Sequence, residues 1–383
     1  MNHDRNLHWI QLLRGVAALL VVLTHARYAL LDTPSWPLAD ALLGPGGMGV
    51  DLFFIISGVI MFHSTAGSDG GPGDAARFLI KRWARVWPAY AVATLASVFV
   101  LGGGIEYFHA AANRLAFWHT LGMLPADPRK APYFALTLPV AWTLLFEMYF
   151  YLSFAASMLF KRWRWAVLGA WVLLTVILLP LGRRGVDMNV SRDPGYAIAY
   201  LSIVTSPFVL EFLAGVLIGW LYRQHWLRVR SRQVARHMLG LAAAFALCAV
   251  YSLAVSGNGP TNYGWPMALL VLAMAVASKT VQIRVPAPCL WLGSVSYSLY
   301  LFHLIAQGLV LRGLQMAGLE SLYHSWSYVV LSTACALSLA ALSHHYLEQG
   351  LSNIVRNHLL GLIAKRPPVQ PAGAATVRQA RRA

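Results

Sequence analysis

Charge is scarce in this chain of 383 residues: Asp, Glu, Lys and Arg make up only 11% of it, and 14 acidic residues stand against 30 basic ones. With 58% hydrophobic residues and a mean hydropathy of +0.57, that scarcity excludes an ordinary soluble domain, in which about a quarter of residues are charged. Cysteine is almost missing as well. Cys248, Cys289 and Cys335 lie in or beside apolar runs without a CxxC or paired spacing, which excludes a disulfide framework or a cysteine-held metal. No HExxH or comparable ligand spacing occurs, so no metal is expected, even where His344, His345 and Glu348 come together. No internal repeat is visible, against the inverted-repeat plan of many transporters. No small-residue cleavage site follows the first apolar run, so it reads as a retained span and not a signal peptide.

What is present is a succession of apolar runs of membrane-spanning length. Ten spans are expected, near residues 9–31, 48–65, 84–103, 139–160, 165–181, 201–222, 238–255, 265–279, 294–316 and 326–347. The third is expected to open at Pro88, in its first turn, where proline is tolerated. The fold class is therefore all-α, a polytopic membrane bundle of about ten transmembrane helices. The 14 Trp and 16 Tyr suit interfacial belts.

Alternation of the spans places 21 of the 30 Lys and Arg on one side and six on the other, which by the positive-inside rule predicts both termini in the cytoplasm. The net charge of +16 is then a topology signal and calls for no nucleic-acid partner. Residues 1–356 form one membrane-embedded domain, and residues 357–383 a basic, disordered cytoplasmic tail. The two long outer connections, 104–138 and 182–200, carry Trp118, His119, Asp127, Asp187 and Asp193. They read as solvated connectors long enough to roof a site.

Against this background, ionisable residues inside apolar runs stand out, because the bilayer makes them expensive. Arg14 and His25 share the first span, WIQLLRGVAALLVVLTHARYALL. Eleven residues bring them back to one helical face, about 16 Å apart along the axis. Arg14 suits either snorkelling to head groups or a functional role. His25 suits either a structural pair or general-base work on an alcohol. Arg82 and Arg85, in KRWARVWPAY, neighbour each other on a helix face, as positive-inside anchors or as a bidentate phosphate clamp. Glu147, in AWTLLFEMYFYL, needs a partner at depth: Arg14, His25 or a substrate hydroxyl. Glu211 poses the same problem nearer the surface, and His303 lies deep in the ninth span. Asp51, at the outer end of the second span, reads as interfacial, and Ser57-Gly58 as a point of close helix approach.

The segments IQLLRGVAALLVVLTHA, GGMGVDLFFIISGVIM, FLIKRWARVWPAY, WTLLFEMYFYL, EFLAGVLIGWL, LGSVSYSLYLFH and HHYLEQGLSNIVR occur in this order over residues 7 to about 356. In this the chain resembles the acyltransferase-3 family of integral membrane O-acyltransferases, especially its exopolysaccharide-production branch. Arg14 and His25 match the family's Arg-x10-His spacing, and Arg82 and Arg85 its R-x-x-R. The chain departs from the pattern at His344-His345 and lacks the hydrolase-like domain of some relatives, so no two-domain relay of the acyl group is implied.

The resemblance implies transfer of an acyl group, usually acetyl from cytosolic acetyl-CoA, to a hydroxyl of an envelope glycan or its lipid-linked precursor at the inner membrane. Arg82 and Arg85 would hold CoA phosphates. His25 would activate the hydroxyl or receive the acyl group, Arg14 would position donor or imidazole, and Glu147 would orient His25 or the sugar. His303, Tyr297 and Glu211 are secondary candidates on the substrate side. Two enzyme alternatives are transfer of succinyl or a longer acyl chain, and acylation of a small metabolite. An alternative from another class is a transporter or flippase, which also uses buried charge.

Overall fold

Hydrocarbon offers no partners to backbone N–H and C=O groups, so apolar runs of this length satisfy them internally as helices. The computed structural model describes residues 8–364 except 184, 193 and 253–256, and its regular elements are all helical. Arg5, Arg184, Asp193 and the chain after 364 lie outside the described residues.

Ten helices make up the bundle: α1 (His8–Ala26), α2 (Met48–Thr65), α3 (Pro72–Val100), α4 (Trp142–Met158), α5 (Lys161–Leu181), α6 (Phe208–Arg223), α7 (Arg232–Ser252), α8 (Trp265–Ser278), α9 (Ala287–Met316) and α10 (Trp326–Ser343). A π-helical segment, His344–Leu351, joins α10 to a final helix, α11 (Ser352–Ala364). Among the described residues, nine helical stretches are long and apolar enough to cross a membrane. The exception is α6. The span expected at 201–222 is broken, because Ala199–Val204 ends before Pro207, which cannot continue the ladder of hydrogen bonds. The 16 residues of α6 rise only about 24 Å.

The expected start of the third span is corrected as well. Pro88 does not open the third span but lies inside α3, whose true start is Pro72 in the first turn after Gly71. The amphipathic stretch from Ala75 to Trp87 is helical too, so α3 extends by three turns the segment that hydropathy alone finds. At the other end, α11 closes the described residues at Ala364.

The helices alternate in direction. The α2–α3 and α4–α5 turns meet at one end, where Arg164 Nη1 donates to Ser68 O at 3.0 Å. At the opposite end Asn258 Nδ2 donates to Gly47 O at 2.8 Å, joining the α7–α8 connection to the one before α2. Two glycine contacts let backbones touch. A Cβ on Gly293 of α9 would lie 2.2 Å from Gln11 O of α1, and one on Gly215 of α6 would lie 1.9 Å from Ile55 O of α2. Gly58 takes part in the second contact, as its place after Ser57 suggests. Beside it, Phe54 meets Phe146, Phe150 and Phe208 edge-on, and Phe150 stacks on Phe212 at 4.4 Å. This aromatic block fixes α2, α4 and α6 relative to one another.

Candidate active site

Three guanidinium groups converge on one cavity: Arg14 from α1, and Arg82 and Arg85 from α3. Glu147 and Tyr151 of α4 and Tyr297 and Tyr300 of α9 complete its polar wall, and the space is about 790 Å³ including its mouth. Arg82 Nη2 donates to Ser64 Oγ at 2.9 Å, and its guanidinium lies 5.5 Å from the Phe78 ring centre and 5.6 Å from that of Tyr151. The partner Glu147 needs is Tyr151, one turn along its own helix, whose hydroxyl donates to it. Neither Arg14 nor His25 supplies it. Tyr297 lines the cavity with its hydroxyl donating to Val86 O at 2.7 Å, tying α9 to α3.

This cavity opens into a broader basin, about 1980 Å³ including open solvent, with Arg14, Arg82 and Arg85 on the walls of both. Six cationic residues and two carboxylates line the basin, the others being Arg77, Lys81 and Arg356 against Asp74 and Glu348. Asp74 is held by Arg77, and Glu348 accepts from Ser298 Oγ and from the Ser298 N–H at 3.2 Å. Among the described residues no carboxylate forms an ion pair with Arg14, Arg82 or Arg85, so the basin presents unneutralised positive charge to a ligand. The π-helical segment supplies His344, Glu348 and Gln349 to its wall, a type of distortion frequent at functional sites.

His25 lies beyond the cavity. Its ring centre is 4.9 Å from that of His303, and His303 is 5.9 Å from Tyr300, which forms the cavity wall. His25 Nδ1 sits 2.8 Å from Val21 O and His303 Nδ1 2.7 Å from Tyr300 O. A carbonyl oxygen only accepts, so each Nδ1 carries the ring proton, and each neutral ring keeps its lone pair on Nε2. His303 is completely buried, and its Nε2 has no partner among the described residues. The sequence candidates thus fall into two groups, the arginines with Glu147 and Tyr297 around the cavity, and the two histidines behind Tyr300. Tyr300 itself, 2.8 Å from Thr143 Oγ1, and Tyr151 were not singled out by sequence. The i, i+4 spacing of Tyr151 from Glu147 is the signal that finds it.

Glu211 is not brought to this site. It is 2% exposed, finds no hydrogen-bond donor among the described residues, and lies against Asp51. Asp51 is fully buried, which corrects its interfacial reading; it accepts from Asn258 Nδ2 at 2.6 Å and from the Gly259 N–H at 2.7 Å. Two carboxyl groups buried side by side cannot both carry charge cheaply. The connection residues His119 and Asp127 make local contacts, to Pro125 O and to Arg129. Among the described residues no three His, Cys, Asp or Glu side chains are grouped to hold a metal.

Comparison with known proteins fits this geometry. The chain is 31% identical over 331 residues to the exopolysaccharide production protein ExoZ of Rhizobium meliloti, covering 84% of this chain and 95% of that one. It is 24% identical over 318 residues to the peptidoglycan O-acetyltransferase OatA of Listeria monocytogenes, covering 76% of this chain and 48% of that longer protein. No solved structure matches. Residues 7–345, from the start of α1 to the π-helical segment, match the acyltransferase domain of the acyltransferase-3 family, and the chain is a multi-pass membrane protein belonging to that family.

Proposed function

We propose that the protein moves an acetyl group from acetyl-CoA to a hydroxyl of a cell-surface polysaccharide or its lipid-linked precursor. The carrying observation is the basic basin narrowing into a cavity that ends one side chain short of the His25 and His303 rings. Arg82 and Arg85, with Arg14 deeper in, suit the phosphates of CoA, because guanidinium groups bind phosphate oxygens through paired hydrogen bonds. The thioester arm then runs along the cavity towards Tyr300. The bare Nε2 of His25 takes the proton of the acceptor hydroxyl as its oxygen attacks the thioester carbonyl, and the CoA thiolate leaves. With both termini in the cytoplasm of the inner membrane, the basin faces the cytosolic CoA pool and His25 lies towards the glycan. The named activities of the two relatives, exopolysaccharide production and peptidoglycan O-acetylation, support a glycan acceptor.

The test uses purified protein in lipid nanodiscs, acetyl-CoA labelled in the acetyl group, and de-acetylated polysaccharide from the producing cell. Label is expected in the glycan as an alkali-labile ester. Label retained on the protein after removal of acceptor would report an acyl-histidine intermediate in place of direct transfer. In sealed vesicles, entry of label with no ester formed would replace the enzyme by a transporter.

A further inference from the structure

The end of the bundle that holds His25 has a second cavity, which shares no wall residue with the basic one. It measures about 830 Å³ including its mouth, in the size range of small-molecule sites. Phe146 of α4 lines it, Ser202 comes from the short helix before the α6 break, and the 182–200 connection contributes Arg183, Asp187, Arg192 and Tyr196.

The chemistry of this wall is specific. Ser202 is 4% exposed, and its hydroxyl has no hydrogen-bond partner among the described residues, which leaves it free to bond a ligand. The Arg183 guanidinium lies over the Tyr196 ring at 4.8 Å, making a flat plate with donors at its edge. Arg192 Nη1 pairs with Asp187 Oδ2 at 2.7 Å, so donors and acceptors stand side by side on the wall. The Asn189 N–H and then Arg192 hold the Asp187 carboxyl below its usual range, which keeps the pair charged in mildly acidic surroundings. Apolar faces beside paired donors and acceptors match a pyranose ring, with its C–H face and its rim of hydroxyls.

We propose that this cavity is a glycan subsite, holding a sugar unit of the acceptor other than the one that is acylated. The identity of the ligand rests on the acyl-transfer reading, while occupancy of the cavity can be measured without turnover. Such a subsite favours an oligosaccharide or polymer over a free sugar, because only a chain reaches both this cavity and His25.

The probe is a size series of oligosaccharides from the cell's own de-acetylated exopolysaccharide, used with the wild type, Arg183→Ala and Ser202→Ala in nanodiscs. Calorimetric Kd and acceptor KM are both expected to fall with chain length in the wild type. Arg183→Ala should raise both about tenfold for the longer fragments, and Ser202→Ala about threefold. The KM for acetyl-CoA, kcat and the monosaccharide KM should stay unchanged. Ser202→Ala removes only an unpaired hydroxyl, so a folding defect does not account for its effect. Length-independent wild-type values, or variants equal to wild type, would overturn the subsite. Length-dependent binding lost in the variants with no ester formed would keep the subsite and overturn acyl transfer.

Discussion

His25 and His303 face each other with ring centres 4.9 Å apart and planes inclined by 58°, each ring holding its Nδ1 proton on a backbone carbonyl of its own helix. The two Nε2 atoms are thereby oriented without a carboxylate partner among the described residues. Under the acyl-transfer reading, His25→Ala is expected to lower kcat by about 10²–10⁴, the usual worth of a positioned base. His303→Ala should cost less, and His303→Gln, which keeps a polar group beside His25, should recover part of the loss. Wild-type kcat in His25→Ala, with the purified protein still folded by thermal melting, would remove His25 from the chemistry.

Under the same acyl-transfer reading, the arginine pair should act on the donor alone. Arg85→Ala is expected to raise the KM for acetyl-CoA about a hundredfold, and Arg82→Lys about tenfold, since lysine keeps the charge but loses the planar fork. Added salt should weaken donor affinity in the wild type by screening the basin. A rise in acceptor KM with unchanged donor KM would contradict this assignment.

Glu147 and Tyr151 separate charge from hydrogen bonding. Glu147→Gln keeps an acceptor for the Tyr151 hydroxyl while removing the carboxylate from among three guanidinium groups. It is expected to leave the melting temperature nearly unchanged and to change the acetyl-CoA KM. Tyr151→Phe leaves the carboxylate without its partner and should lower stability by about 1–3 kcal/mol. The two melting curves, measured in the same detergent, decide between these effects.

The Asp51 and Glu211 pair, which is not on the cavity wall, should respond to chemistry and not to size. Glu211→Gln supplies an amide donor to Asp51 and is expected to be tolerated. Asp51→Ala strands the Asn258 amide and the Gly259 N–H and should cost about 2 kcal/mol or more. Equal melting temperatures for the two variants would refute the different holding of the two carboxyls, Asp51 by two donors and Glu211 by none among the described residues.

Packing offers the plainest test. Gly215→Ala would bring a methyl group 1.9 Å from Ile55 O, so α6 and α2 must separate, at a cost of about 1–3 kcal/mol. Gly313→Ala, whose added carbon meets nothing within 4 Å, is the matched control and should melt like the wild type.

The parts of this protein legible in its sequence are those the bilayer makes conspicuous. Arg14, Arg82, Arg85 and Glu147 interrupt or border apolar runs, and the structure brings all four to one cavity. His25 and His303 are legible for the same reason, but their facing each other is not, because 278 positions separate them and only the folded packing of α1 on α9, with Gly15 against Gly293 and Gln307 Nε2 donating to Val22 O at 3.2 Å, shows the two together. Asp51 was misread because position along a span does not reveal a loop folding back over it, as residues 257–264 do. Pro88 misled because a helix that starts early can absorb a proline later, the missing N–H costing one bond out of many. Tyr300 and Tyr151 look like ordinary aromatics until a cavity forms beside them.

Arg14 and His25 belong to a single uninterrupted helix, clamped backbone to backbone against α9 at Gly15 and Gly293. They therefore behave as two marks on one rigid bar, and no loop or hinge among the described residues can draw them together during a reaction cycle. Whatever passes between them must be long and supple enough to cover the gap itself. Conformational adjustment falls instead to side chains such as Tyr300 and to the reactants, so under the acyl-transfer reading the reach of the donor's arm would decide which acyl carriers the protein can use.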